Sequence, residues 1–194
     1  MLDIRQLIYR KEKLLTQKQC SYFIDFFEKH LDKVGTEGST KYIPGKEIKR
    51  EEDNFLCLNL SNLYDQPNFK EAADIAFSLI TTMVLNYTQY LKLNISPAIV
   101  SNHMEKTNIR IMRYEVGQEI RDHLDIGDTN NRASCTINLN SNYEGGEFSF
   151  FSGKHLLNLK EGEGMVFPAE QIWIHGVRSV TKGTRYSINC FLSL

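Results

Sequence analysis

Two periodicities divide this chain. Between Thr16 and Lys33 the apolar residues Tyr22, Phe23, Phe26, Phe27 and Leu31 recur at three- and four-residue steps, the spacing of one helix face. Thr16 is a suitable N-cap, and Gly35 ends the pattern. A longer helix is predicted from about Asn68 to Leu93, with Ala72, Ile75, Ala76, Leu79, Ile80, Met83 and Leu85 as its buried stripe. Between these helices, Gly35 to Asp53 (GTEGSTKYIPGKEIKREED) is polar, holds three glycines and a proline, and reads as a long loop. Asn54 to Leu60 then reads as a short strand.

From Ile109 the period falls to two. The segments IRIMRYEV, SCTINLN, EFSFF, LLNL, MVFPA, IWIHGVRSV and TRYSINCFLS are broken by Gly and Asn and spaced roughly ten residues apart. They predict an all-β barrel or sandwich. The expected fold is therefore mainly β with N-terminal helices. Residues 1–108 form a helical support region, with the loop at 35–53, packed on a β core over 109–194 as one integrated domain.

Composition narrows the function classes. Over 194 residues, 41% hydrophobic content and a net charge of -1 exclude disorder as the main state. With 23 Lys+Arg against 24 Asp+Glu there is no global attraction to nucleic acid or anionic membrane. No uncharged run approaches the ~20 residues of a membrane helix. Met1 to Lys18 mixes charges among its apolar residues and does not read as a signal peptide. Cys20, Cys57, Cys135 and Cys190 are scattered without a CxxC pair, so a zinc site is not expected, and free thiols in a reducing, cytoplasmic setting are.

The candidate chemistry is His123-Leu124-Asp125, followed by His175 and then Arg185. Residues two apart on a strand share a side, so His123 and Asp125 can reach one metal, and a strand bearing His175 opposite would complete the set. Two imidazoles and one carboxylate leave three positions open, the arrangement expected for non-heme Fe(II) oxygen chemistry. Imidazoles must be neutral to bind, so metal affinity should fall at acidic pH. Arg185, a permanent cation in a β-rich interior, suits a bidentate carboxylate clamp.

Other features have blander readings. His155 is a rival distal ligand, but only Lys160 follows it at short range; His30 and His103 carry no motif. Gly145-Gly146 fits a tight bend better than a phosphate loop. The run Lys46 to Asp53 reads as a solvated, mixed-charge loop or as a segment folded over the barrel mouth. Trp173 reads equally as a core aromatic or as a substrate flank.

RYEVGQEIRDHLD (113–125), CTINLN (135–140), EGGEFSFF (144–151) and GEGMVFPAEQIWIHGVRSVTKGTRYSINCFLS (162–193) occur in order and with family-like spacing. Together they resemble the catalytic core of the Fe(II)/2-oxoglutarate-dependent oxygenases, on the prolyl 4-hydroxylase side. The resemblance implies a double-stranded β-helix, or jelly roll, with His123, Asp125 and His175 as iron ligands. It further implies Arg185 as the grip on the distal carboxylate of 2-oxoglutarate and Tyr114 as a co-substrate pocket residue.

Strand alternation adds Ser187 and Asn189 beside Arg185, and Ser134, Thr136 and Asn138 on the neighbouring strand. Ser187, Thr136 and Asn138 thus become co-substrate candidates. In several relatives a tyrosine stands where this chain has Asn138. The implied cofactors are Fe(II), 2-oxoglutarate and O2, with ascorbate as an accessory reductant.

The implied reaction couples decarboxylation of 2-oxoglutarate, giving succinate and CO2, to hydroxylation of a substrate C–H. The family's halogenases lack the carboxylate ligand, so Asp125 favours hydroxylation. A peptidyl-prolyl or other protein substrate is the leading expectation, with a free amino acid or small molecule as the alternative. Nucleic acid is disfavoured, because the second arginine of the AlkB-like branch, six residues after the first, is absent: Phe191 stands there. A non-catalytic or cupin-like metal barrel is the remaining alternative.

Overall fold

The computed structural model describes residues 3–36, 38–41, 49–52, 55–97, 105–125 and 131–193. In chain order its elements are β1 (Tyr9–Lys11), α1 (Gln17–Lys29), β2 (Gly38–Lys41), β3 (Lys49–Glu52), β4 (Leu56–Asn59) and α2 (Pro67–Asn94). They continue with β5 (Glu105–Tyr114), β6 (Ile120–His123), β7 (Asn131–Asn138), β8 (Glu144–Gly145), β9 (Phe148–Phe150) and β10 (His155–Leu157). The last are β11 (Gly164–Pro168), β12 (His175–Val177), β13 (Val180–Lys182) and β14 (Arg185–Ser193).

Both helices start where their sequences provide a boundary. Thr16 closes a capping box: its Oγ1 accepts from Gln19 N, and its own N donates to Gln19 Oε1. Pro67 opens α2, at the position where its missing N–H costs nothing. The buried face of α2 comprises Phe69, Ala72, Ala73, Ala76, Ile80, Met83, Val84 and Tyr87. Leu85, expected in that stripe, is instead 61% exposed. The i, i+3, i+4 pattern passes through Val84 and Tyr87, and Leu85 lies one residue off it.

A six-stranded sheet, β1-β11-β7-β14-β5-β4, faces the helices. Alternation gives it two faces of opposite character. Ile109, Ile111, Cys135, Ile137, Leu139, Ile188, Cys190 and Leu192 pack with Phe23, Phe27, Ala76, Ile80 and Met83 in one core. The other face carries Arg110, Met112, Tyr114, Ser134, Thr136, Arg185, Ser187 and Asn189. A four-stranded sheet, β10-β9-β12-β6, supplies the facing wall and a second core of Phe148, Phe150, Met165, Phe167, Trp173 and Val177. Strands from the first half also join the large sheet, β1 on β11 and β4 on β5, so the helical region and the β core share backbone pairing as well as side-chain packing.

Three local expectations change. The segment at 35–53 is not a featureless loop: β2 and β3 pair as an antiparallel ribbon, Gly38 opposite Glu52 and Lys41 opposite Lys49. Its strands lack an apolar face, so the period-two signal is missing. Residues 37, 42–48 and 53 lie outside the described residues. IWIHGVRSV is two strands, β12 and β13, and His175 opens the first of them instead of sitting mid-strand. Trp173 precedes the strand and is 2% exposed within the second core, which leaves the core reading.

Replacing Thr16 with Ala removes the cap of a helix that anchors Phe23 and Phe27. It should lower stability by about 1 kcal/mol in urea denaturation.

Candidate metal centre

The site begins with a register. His175 of β12 pairs directly with His123 of β6, and the imidazole centroids are 4.4 Å apart. A bulge in β6 follows this pairing: the next pair is Val177 with Ile120, so Arg121 and Asp122 together oppose Gly176. Gly176 is required there because a Cβ would stand 2.6 Å from the Ile120 carbonyl and 2.9 Å from Asp122 Oδ1.

Each imidazole is oriented by the same device. Nδ1 of His123 lies 2.8 Å from the Arg121 carbonyl, and Nδ1 of His175 lies 2.9 Å from the Trp173 carbonyl. A carbonyl only accepts, so Nδ1 is the protonated nitrogen in both neutral rings and Nε2 presents its lone pair. Both Nε2 atoms meet Asp125, at 3.1 Å from Oδ1 for His123 and 3.2 Å from Oδ2 for His175. The donor atoms of all three residues lie within 4.8 Å of one another.

Asp125 follows the end of β6 instead of lying within the strand, yet it still reaches the pair. Burial alone would raise its pKa, but His175 and His123, when their Nε2 atoms carry protons, supply charge and hydrogen bonds that outweigh this and hold the carboxyl well below its usual range. Two neutral nitrogens and one anionic oxygen form a donor set suited to a divalent transition metal with open positions. His155, on β10, and His30, bonded to the Phe26 carbonyl, stand apart from the cluster; His103 lies outside the described residues.

The cluster opens into a cavity of about 140 Å³. Its walls are largely apolar, with Phe55, Met112, Ile120, Phe148, Phe167 and Val177, and Thr136 and Asn189 provide polar groups. Thr136 Oγ1 donates to Asn189 Oδ1 at 3.3 Å, and Ser187 Oγ donates to the same oxygen at 2.9 Å. Arg110 also lines the cavity, with its guanidinium 4.6 Å from the centroid of the Phe191 ring.

Arg185 lies one layer behind the lining residue Phe148. It is 1% exposed, and its guanidinium sits 5.3 Å from the Phe148 ring and 5.1 Å from the Tyr114 ring. Among the described residues no carboxylate pairs with it. Nη1 reaches Ser187 Oγ at a long 3.4 Å, and the buried Nε has no hydrogen-bond partner. A buried cation without a counter-ion is costly, so this orphaned donor fits the carboxylate of a ligand.

Of the expected co-substrate residues, Thr136 is on the cavity wall, whereas Arg185, Tyr114 and Ser187 form the layer behind it. Asn138 is fully committed: its Nδ2 donates to the Asn140 and Leu159 carbonyls, and its Oδ1 accepts from Tyr143 Oη. Tyr143 had no signal in the sequence, because it lies between strands. Arg110 was legible by parity, since it shares its face of β5 with Met112 and Tyr114.

The family described as the 2OG-Fe(II) oxygenase superfamily matches residues 109–193. The match spans the β core, somewhat under half of the chain. That superfamily's chemistry uses Fe(II), 2-oxoglutarate and O2, and the two-imidazole, one-carboxylate cluster and the orphaned Arg185 of this chain are both in the matched segment.

Among solved structures, a prolyl hydroxylase from Trichoplax adhaerens in complex with a hypoxia inducible factor oxygen degradation domain peptide fragment is similar over 97% of this chain and 84% of its own. That match has a TM-score of 0.68 and 11% identity. The viral collagen prolyl hydroxylase of Paramecium Bursaria Chlorella virus-1, in complex with 2OG, matches over 97% and 96%, at TM-score 0.60 and 16% identity. A Pseudomonas putida prolyl-4-hydroxylase matches over 96% and 91%, also at 0.60 and 16%. These likenesses establish the double-stranded β-helix fold. No curated protein is similar to this chain in sequence.

Gly146 has a φ of +67°, and a Cβ there would stand 2.8 Å from Arg185 Cδ. Gly146→Ala should therefore displace the guanidinium and weaken 2-oxoglutarate binding by roughly 10- to 100-fold, the value of a charged hydrogen bond. Isothermal titration with and without Mn(II) would separate this loss from metal binding, which should persist.

Proposed function

We propose that this protein is an Fe(II)- and 2-oxoglutarate-dependent dioxygenase that hydroxylates a C–H bond, with peptidyl-prolyl or other protein residues as its substrates. The observation that carries the reaction class is the convergence of His123, Asp125 and His175 on one point of a cavity backed by an unpaired buried arginine. Metal and co-substrate together supply an oxidant strong enough for a C–H bond, at the expense of 2-oxoglutarate decarboxylation.

The chain's own residues do the rest. The Nδ1–carbonyl bonds hold both imidazoles with Nε2 toward the metal. Arg185 holds the distal carboxylate of 2-oxoglutarate, with the Tyr114 and Phe148 rings fixing the guanidinium plane. Apolar walls of Phe55, Met112, Phe148 and Phe167 exclude water from the reacting atoms.

The preference for a peptide rests on the prolyl hydroxylase folds that this chain resembles, one of them bound to a peptide fragment. The β2–β3 ribbon supports it. It immediately precedes in sequence Phe55, a cavity-lining residue. Four buried free cysteines fit a reducing, cytoplasmic setting. Among the described residues no helix is long and apolar enough to cross a membrane.

The test is mass spectrometry of end-blocked prolyl peptides incubated with the protein, Fe(II), 2-oxoglutarate and O2. A gain of one oxygen on proline, matched mole for mole by succinate, is expected. Oxygen incorporation into free amino acids, with blocked peptides untouched, would transfer the assignment to small-molecule hydroxylation.

A further inference from the structure

The three members of the cluster are not held alike. His123 and His175 sit on paired strands, and each is pinned through Nδ1. Asp125 lies past the end of β6, where no ladder fixes it. Its χ2 torsion is intrinsically soft, being a broad two-fold sp³–sp² rotation. A carboxylate free to turn about that bond can bind a metal through one oxygen or through both.

Two residues of β7 supply the missing constraint. Asn131 Nδ2 donates to the Asp125 carbonyl at 2.7 Å, and Asn131 Oδ1 accepts from Ser193 Oγ at 2.9 Å. This fixes the main chain. Ser134 Oγ donates to Asp125 Oδ2, which fixes the carboxylate plane. Ser134 is 5% exposed, and its neighbour along the same face, Thr136, is occupied with Asn189. The two carboxylate oxygens are therefore inequivalent: Oδ2 carries the Ser134 bond, and Oδ1 does not.

We propose that Ser134 is a positioning residue: by holding Oδ2 in a hydrogen bond, it makes Asp125 offer the metal a single oxygen and keeps the remaining positions open for 2-oxoglutarate and O2. This rests on the metal-ligand reading of Asp125. Ser134 lines the cavity beside the three ligands, and its hydroxyl is engaged with Asp125. It acts on the carboxylate, as partners of metal ligands generally do, and loss of such partners typically costs 10–100-fold in metal affinity.

Anaerobic Co(II) titration of the wild type, Ser134→Ala and Ser134→Thr, followed by visible d–d absorption, tests the role without any turnover. The Ala variant should bind Co(II) at least about tenfold more weakly, with an altered d–d spectrum, because the carboxylate is free to rotate. Threonine keeps the hydroxyl and suits a strand, so it should restore both affinity and spectrum. Thermal melting of each apoprotein reports folding. A folded Ala variant with wild-type Co(II) affinity and spectrum would overturn the proposal, as would a folded Thr variant no better than Ala. Failure of the wild type itself to bind Co(II) would overturn the metal-ligand reading, and this inference with it.

Discussion

The site depends on the antiparallel register that places His175 opposite His123. Opposed residues on neighbouring strands bring their side chains within about 5 Å of each other, close enough for two imidazoles to share a metal. A slip of one residue would turn His175 to the other face of the strand, away from His123. Gly176 protects this register, because β12 approaches the backbone of β6 too closely for any Cβ. The β6 bulge of Arg121 and Asp122 lies directly opposite this glycine.

The large sheet has the complementary task of separating two environments along single strands. In β14, Ile188, Cys190 and Leu192 enter the helix-facing core, while on the opposite face Asn189 lines the cavity and Arg185 and Ser187 form the layer behind its wall. Burying each aliphatic side chain stabilises the fold by about 1.5–3 kcal/mol, which offsets the cost of an interior guanidinium on the same strand. That guanidinium is held between aromatic rings, a contact worth about 0.5–2 kcal/mol, instead of by a carboxylate. Its residual need for an anion is what the proposed carboxylate of 2-oxoglutarate would meet. Function and instability share one residue.

Much of this was legible in the sequence. The change of period near Ile109, the His123–Asp125 spacing and the two-faced reading of β7 and β14 all follow from strand geometry, and α1 and α2 follow from caps and helical stripes. Features that rely on contact between distant segments were not legible. The β2–β3 ribbon is polar on its whole length, so no alternation marks it. Asn138 shares the inward parity of Thr136, but its amide is taken up by the Asn140 and Leu159 carbonyls. Asp125 lies past the strand that was expected to carry it, and reaches the site through bonds from Asn131 and Ser134 that no spacing rule encodes.

The central claim is that one cavity takes a metal through His123, Asp125 and His175 and a 2-oxo acid reaching toward Arg185. Anaerobic addition of Fe(II) and then 2-oxoglutarate to the apoprotein, followed by visible absorption, tests it most directly. The account predicts a weak metal-to-ligand charge-transfer band in the wild type and its absence in His175→Ala. Iron binding with no band on adding 2-oxoglutarate would contradict it and leave a cupin-like metal barrel in its place.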